Sequence, residues 1–187
     1  IVRGHDFPDV VLVGILAADM SLHASDYRAA ERTFQLLTQA AGRAGRGGRE
    51  GRVVIQTYDP GHYSIRAAAK QDYEEFYRQE MAYRRMASYP PACRMAAVQF
   101  SSPDEENLSY AAEQAFRALC GPETAGWGIS LVGPAPAAVY KVNDIYRKIL
   151  YIKFQKYDIL DQIRDRLDSL AGGDERFRPV LIQYDIS

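Results

Sequence analysis

The chain of 187 residues is long enough for one domain or two small ones. Its 47% apolar and 25% charged residues are typical of a globular protein, and the sequence has no run of about 18 apolar residues that could span a membrane. The net charge of −1 excludes a broadly basic nucleic-acid-binding protein, so any contact with nucleic acid must come from a local patch. The two cysteines exclude a four-cysteine zinc site and are typical of reduced thiols in a cytoplasmic protein.

The first 58 residues alternate between strand and helix patterns. A β-branched, apolar run at 9–17 predicts a buried strand, and Ser25 or Asp26 can cap the helix that follows. The residues that line one face of this helix, spaced three and four apart, are Tyr27, Ala30, Phe34, Leu37 and Ala41. A second strand is predicted at 52–58, and strand, helix and strand in this order form a parallel α/β unit.

Two further helices are predicted, at 62–70 and 72–87. The proline pair at 90–91 ends the second helix, because proline cannot continue it, and we expect a domain boundary there. Arg84 and Arg85, with the tyrosines around them, can contact DNA, but an amphipathic helix packed between domains explains them equally well.

The pattern after the boundary is strand, helix, two strands, helix and strand. The predicted strands cover 92–101, 129–132, 145–155 and 179–186, and the predicted helices cover 103–119 and 158–170. This order is the split βαβ arrangement of ferredoxin-like folds. Trp127, in a loop between two glycines, either anchors the packing or is exposed as a stacking residue.

The strongest local pattern is the segment QAAGRAGR at 39–46. Gln39, Arg43 and Arg46 lie at positions 0, +4 and +7, which is one stripe of a helix end. Two guanidinium groups beside glycines suit a polyphosphate, because arginine offers planar, multidentate donors. Alternatively, the arginines only complement the helix dipole, or a flexible Gly/Arg segment binds RNA or DNA.

A second pattern interleaves basic and aromatic residues between Tyr140 and Tyr157. In the strand predicted there, side chains alternate between a core face, with Leu150 on it, and an outer face. The candidate DNA-binding residues are Arg147, Lys148, Tyr151 and Lys153. Bases can stack on the tyrosine while phosphates pair with the cations, although a solvated outer strand face is the alternative.

These motifs resemble those of a known enzyme class. The segment 39–46 matches the QxxGRxGR pattern of motif VI in superfamily 2 helicases, and RGHD at 3–6 matches their motif V. The sequence resembles the PriA family of replication-restart helicases closely over 1–91, and it resembles this family more weakly over the remainder. The stretches that carry this resemblance are GHDFPDV, LHASDYRAAERTFQLLTQAAGRAGR, VVIQTYDPGHY, Tyr89-Pro90-Pro91 and VGPAPA.

The resemblance implies an α/β protein in three parts. Residues 1–58 would form the C-terminal part of the second RecA-like helicase lobe, 59–91 a helical connector, and 92–187 an α+β domain similar to ferredoxin-like or ribosomal-protein folds. That last domain would contact DNA and protein partners. A non-enzymatic nucleic-acid-binding or assembly-scaffold module with a ribosomal-protein-like fold remains the alternative.

The resemblance also implies roles for the motif residues. Arg46 would be the arginine finger on the γ-phosphate, Arg43 a second phosphate contact, and Gln39 would position ATP or its attacking water. Gly4 and Asp6 would lie near the nucleotide, although Asp6 also fits a turn before a proline.

The longer enzyme of which we expect this chain to be a piece would be a cytoplasmic, ATP-dependent 3′-to-5′ DNA helicase. It would use ATP and Mg²⁺, and it would bind zinc outside this segment. Its partners would be forked or single-stranded DNA, single-stranded DNA-binding protein and primosome proteins, and it would bind no membrane. No lysine of the chain follows a glycine, so the phosphate-binding P-loop is absent from it. We therefore expect the chain alone to hydrolyse no ATP, and we predict no metal site in it.

Overall fold

The computed structural model gives the chain as two compact units that divide between Met86 and Ala87. The residues that it describes are 10–24, 26–45 and 51–186. Most of the helical segment predicted as a connector at 59–91 falls in the first unit, and the three-part division stays a prediction. Among the described residues, no helix is long and apolar enough to cross a lipid bilayer.

Two parallel strands and three α-helices make up the described part of the first unit. In chain order they are β1 (Leu12–Ile15), α1 (Ala29–Ala41), β2 (Arg52–Ile55), α2 (Tyr63–Lys70) and α3 (Tyr73–Ala87). The strands pair in register, with Leu12 opposite Arg52. The predicted strand, helix and strand are therefore present, although both strands are shorter than the sequence suggests. The first strand is not buried as predicted: its side chains alternate between exposed and half-buried, since the described sheet has only two strands.

The core of the first unit is a helical cluster. The rings of Phe34 on α1 and Phe76 on α3 stack with their centroids 4.3 Å apart. The other buried members are Ala18, Leu37, Ile65, Ala67 and Ala68. The predicted face of α1 is confirmed at Phe34 and Leu37, but it is rotated slightly, since Thr33 is buried while Ala30 is only half-buried.

The second unit packs two helices on a four-stranded antiparallel sheet. Its elements are β3 (Arg94–Ser102), α4 (Glu105–Leu119), β4 (Ser130–Val142), β5 (Ile145–Phe154), α5 (Asp158–Gly173) and β6 (Leu181–Ile186). The sheet order is β4-β5-β3-β6, so the first strand of the unit lies in the middle beside the third. The predicted order of strands and helices is confirmed.

One face of this sheet carries the core. Val98 and Phe100 on β3, and Leu150 and Ile152 on β5, are completely buried with the inner faces of α4 and α5. The alternation predicted for the third strand is therefore confirmed, and the opposite face of the sheet carries no helix of this unit. Trp127 is half-buried against the same core, so the packing interpretation of this residue is supported.

Candidate functional site

The first candidate site is the C-terminal end of α1, where backbone N–H groups after the helix donate to carbonyls of its last turn. The N–H groups of Gly42, Arg43 and Ala44 donate to the carbonyls of Thr38, Ala40 and Ala41 at 3.0–3.1 Å. Backbone N–H groups therefore satisfy these three carbonyls at the end of α1.

Gln39 lies in the last turn of α1, and Arg43 follows the C-cap, Gly42. Gln39 is exposed and Arg43 is half-buried. The other three residues predicted for this site, Gly4, Asp6 and Arg46, lie outside the described residues. The structure therefore places two members of the predicted set on one helix end and leaves the rest of the set as predictions.

The backbone after α1 returns to the strands. Gly45 adopts a φ of +80°, a conformation that glycine takes without strain, and its N–H donates to the carbonyl of Val10 at 2.9 Å. The N–H of Arg52 donates to Val11 at 2.8 Å. The glycine at 45 thus lets the chain fold back beside β1, which holds the end of α1 at the edge of the parallel strands.

A buried ionic cluster fastens α1 to the other two helices. The guanidinium of Arg84 on α3 donates through Nε to Glu80 Oε1 and through Nη2 to Glu31 Oε2 on α1, both at 2.7 Å. Tyr63 on α2 donates its hydroxyl to the other oxygen of Glu80. The ring of Tyr27 lies 5.3 Å from the guanidinium carbon. We call Glu31, Tyr63, Glu80 and Arg84 the helix clasp.

Electrostatics favour the charged form of this arginine. Burial opposes the charge, but hydrogen bonds from Arg84 to Glu31 and Glu80 raise its pKa. Burial, together with the hydrogen bond to Glu80, also raises the pKa of Tyr63. Arg84 is therefore a packed internal cation, which supports the interpretation of α3 as an amphipathic helix and argues against a DNA contact by this residue, whereas Arg85 is exposed.

The second candidate site is the open face of the sheet in the second unit, the face opposite its helices. Arg147, Ile149, Tyr151 and Lys153 lie on it, since their cross-strand partners on β3 are residues 101, 99, 97 and 95. Lys148 does not join them. It lies opposite the buried Phe100 and so on the core side of the sheet.

The two cations of the open face differ in their surroundings. Lys153 donates from Nζ to the carbonyl of Ala87 at 2.7 Å, and its ammonium lies 3.8 Å from the centre of the Tyr89 ring. Arg147 makes no hydrogen bond or ion pair with any residue within 10–24, 26–45 and 51–186. Arg147 is thus available to an external anion, whereas Lys153 holds the first residues of the second unit against the sheet.

The centre of the open face is apolar and aromatic. Tyr151 is half-buried between Ala97 on β3 and Val132 on β4, and Val132 is 50% exposed. A sheet face that presents a tyrosine ring beside a cation is the type of surface on which unpaired bases stack.

Charge is segregated between the two layers of the second unit. The four strands carry five basic residues and one acidic residue, whereas α4 and α5 carry seven acidic residues and three basic ones. The helical layer therefore repels a polyanion that the sheet layer attracts.

Sequence reasoning did not find the helix clasp or the contact of Lys153. The bond between Arg84 and Glu31 joins residues 53 positions apart, and the bond between Lys153 and Ala87 joins residues 66 positions apart. No group of three or more His, Cys, Asp or Glu side chains converges as a metal site in the part of the chain that the structure describes. Neither cysteine forms a disulfide; Cys93 is buried and Cys120 exposed.

The chain is similar to known proteins along its whole length. Residues 85–186 match the family model described as the primosomal protein N C-terminal domain. The chain is 45% identical over 190 residues to the replication restart protein PriA of Bacillus subtilis, an alignment covering 100% of the chain and 23% of that protein. Identity is 39% to PriA of Synechocystis, over 83% of the chain and 18% of the relative, and 37% to PriA of Treponema pallidum, over 92% and 26%. The chain thus spans about a fifth to a quarter of the length of these relatives.

Proposed function

Because the chain belongs to the family of the primosomal protein N C-terminal domain, we propose that it acts as the C-terminal part of an ATP-dependent 3′-to-5′ DNA helicase of replication restart and primosome assembly. Relatives named replication restart protein PriA, which are about four to five times longer, support this role. In the cell, this part would work within a longer cytoplasmic protein, here called the parent protein.

The first unit would belong to the second RecA-like lobe of the parent. Its parallel strands with α1 between them fit such a lobe. The observation that carries the proposal is the placement of the QxxGRxGR pattern at the end of α1, with Gln39 in its last turn and Arg43 just past its C-cap, Gly42. Their side chains would serve a nucleotide held by the other lobe.

The arginines would supply positive charge where the reaction needs it. As the bond to the γ-phosphate of ATP breaks, negative charge develops on the transferred group and on the leaving oxygen. Arg46 and Arg43 would stabilise that charge, while Gln39 would position ATP or its attacking water. Gly4 and Asp6 would line the same nucleotide. The parent protein would supply the ligands of Mg²⁺ and zinc, and we assign neither ion a ligand among the residues that the structure describes here.

The second unit would contact DNA through the open face of its sheet. Tyr151 would stack with an unpaired base and Arg147 would pair with a phosphate, while the acidic helical layer would keep the strand on the sheet side. Lys148 and Lys153 would add only long-range attraction, because one lies on the core side and the other is held by Ala87 and Tyr89. Single-stranded DNA-binding protein and primosome proteins would be its protein partners.

A non-enzymatic scaffold is the second candidate, because the charge-segregated sheet alone suits a nucleic-acid-binding module. The two functions separate in an ATPase assay of the chain alone and of the parent protein, each with and without forked DNA. Our proposal expects DNA-stimulated hydrolysis by the parent and none by the chain. A parent that binds DNA but hydrolyses no ATP under any of these conditions would establish the scaffold instead.

A further inference from the structure

The helix clasp joins three helices through one buried guanidinium. The side chains of Arg84 and Glu80 are only 9% and 5% exposed, whereas that of Glu31 is 37% exposed. Arginine suits this position because its planar fork reaches two carboxylates at once, which a lysine cannot do. The bond from Arg84 to Glu31 joins the clasp to α1.

The clasp acts on α1 from the end opposite to the candidate ATP site. Glu31 lies in the first turn of α1, and Gln39 follows eight residues later, or about 12 Å along the helix. Phe34, between them, stacks on Phe76 of α3. The apolar stack tolerates small sliding, but the hydrogen bonds of Arg84 fix both distance and direction.

We propose that Arg84 is a positioning residue for the ATPase reaction: through Glu31 it sets the rotation and the axial position of α1, and with them the positions of Gln39 and Arg43. This inference rests on the proposed function, because it assumes that the end of α1 faces ATP. A displacement of about 1 Å at a reacting group lowers rates by up to about a hundredfold, so loosening α1 should reduce turnover without removing any group that touches the nucleotide.

The test uses the parent protein with Glu31→Ala, which breaks the bond to α1 but leaves Arg84 neutralised by Glu80. Glu31→Gln keeps an oxygen that can accept from Arg84 and serves as the conservative variant. The matched control is Glu113→Ala, which removes a similarly exposed carboxylate paired with Arg117 on α4. Steady-state ATPase kinetics, nucleotide affinity and thermal melting are measured for each.

We expect Glu31→Ala to lower kcat on the order of tenfold, with the KM for ATP within about twofold of wild type, and Glu31→Gln to recover most of the loss. The control should match wild type. An unchanged kcat in Glu31→Ala would overturn the inference, and so would a loss of kcat that only follows a loss of folded protein at the assay temperature. A wild-type parent without ATPase activity would instead overturn the proposed function, and this inference with it.

Discussion

Replacing Arg147 with glutamine should weaken the binding of single-stranded DNA and flatten its dependence on salt. Arg147 makes no ion pair with the described residues, so its whole charge is available to a phosphate, and the substitution removes one contact. For single strands, one lost phosphate contact lowers the slope of log K against log salt by about 0.7. Between 50 and 200 mM salt, wild-type affinity should therefore fall about 2.5-fold more than that of the variant.

The assay is fluorescence anisotropy of a labelled oligothymidine, titrated with the 187-residue chain at several salt concentrations. Arg117→Gln is the matched control, because it makes the same change of charge on an exposed arginine of the acidic helical layer. Its slope should equal that of the wild type. Equal slopes for Arg147→Gln and wild type would refute the assignment of the open face, and equal reductions in both variants would show that net charge alone decides binding.

Three further predictions concern stability. His62 caps α2 because its Nδ1 accepts the N–H of Ser64, and burial lowers the pKa of this histidine. Protonation of Nδ1 removes the acceptor, so the free energy of unfolding should fall by about 0.5–2 kcal/mol as the pH drops below about 6.5. Urea unfolding should show that loss, and His62→Asn, which caps without titrating, should lack it. Leu150→Ala, at a completely buried position, should cost about 2–5 kcal/mol in the unfolding of the second unit, and an unchanged denaturation midpoint would contradict the assigned core. Glu80→Ala leaves Arg84 paired with Glu31 but removes the buried carboxylate that accepts from Arg84 and Tyr63, and it should cost about 1–3 kcal/mol by chemical denaturation. A near-neutral result would mean that the clasp is hydrated.

The alternation of side chains predicted the second unit well. The burial of Leu150 and Phe154 could be read from the sequence because a strand has a period of two. The length of β4 could not, since the prediction ended at 132 and the strand runs to Val142. Glycine and proline at 133–136 are typical of a strand end, yet β4 lies at the edge of the sheet, where prolines and register shifts are tolerated.

The candidate sites could be predicted only where they are local in sequence. The stripe of Gln39 and Arg43 was predicted from helical spacing, and it stays a prediction, since α1 ends at Ala41 and Arg43 lies past its C-cap. Lys148 was predicted as a DNA-binding residue together with Arg147 because both are basic. Neighbouring residues of a strand point to opposite faces of the sheet, however, so the two side chains lie on different faces. The partners of Lys153 and Arg84 depend on the tertiary fold, and no spacing rule connects residues more than 50 positions apart.

The most direct test of the account is Arg46→Ala in the parent protein, measured as DNA-stimulated kcat and, separately, as nucleotide affinity. We predict a loss of kcat of about a thousandfold or more with affinity changed only a few-fold, because an arginine finger acts on charge that develops during the reaction. Arg66→Ala, at an exposed arginine on α2, serves as the control and should leave both values near wild type. Undiminished turnover in Arg46→Ala would contradict the proposal that this chain completes an ATPase site.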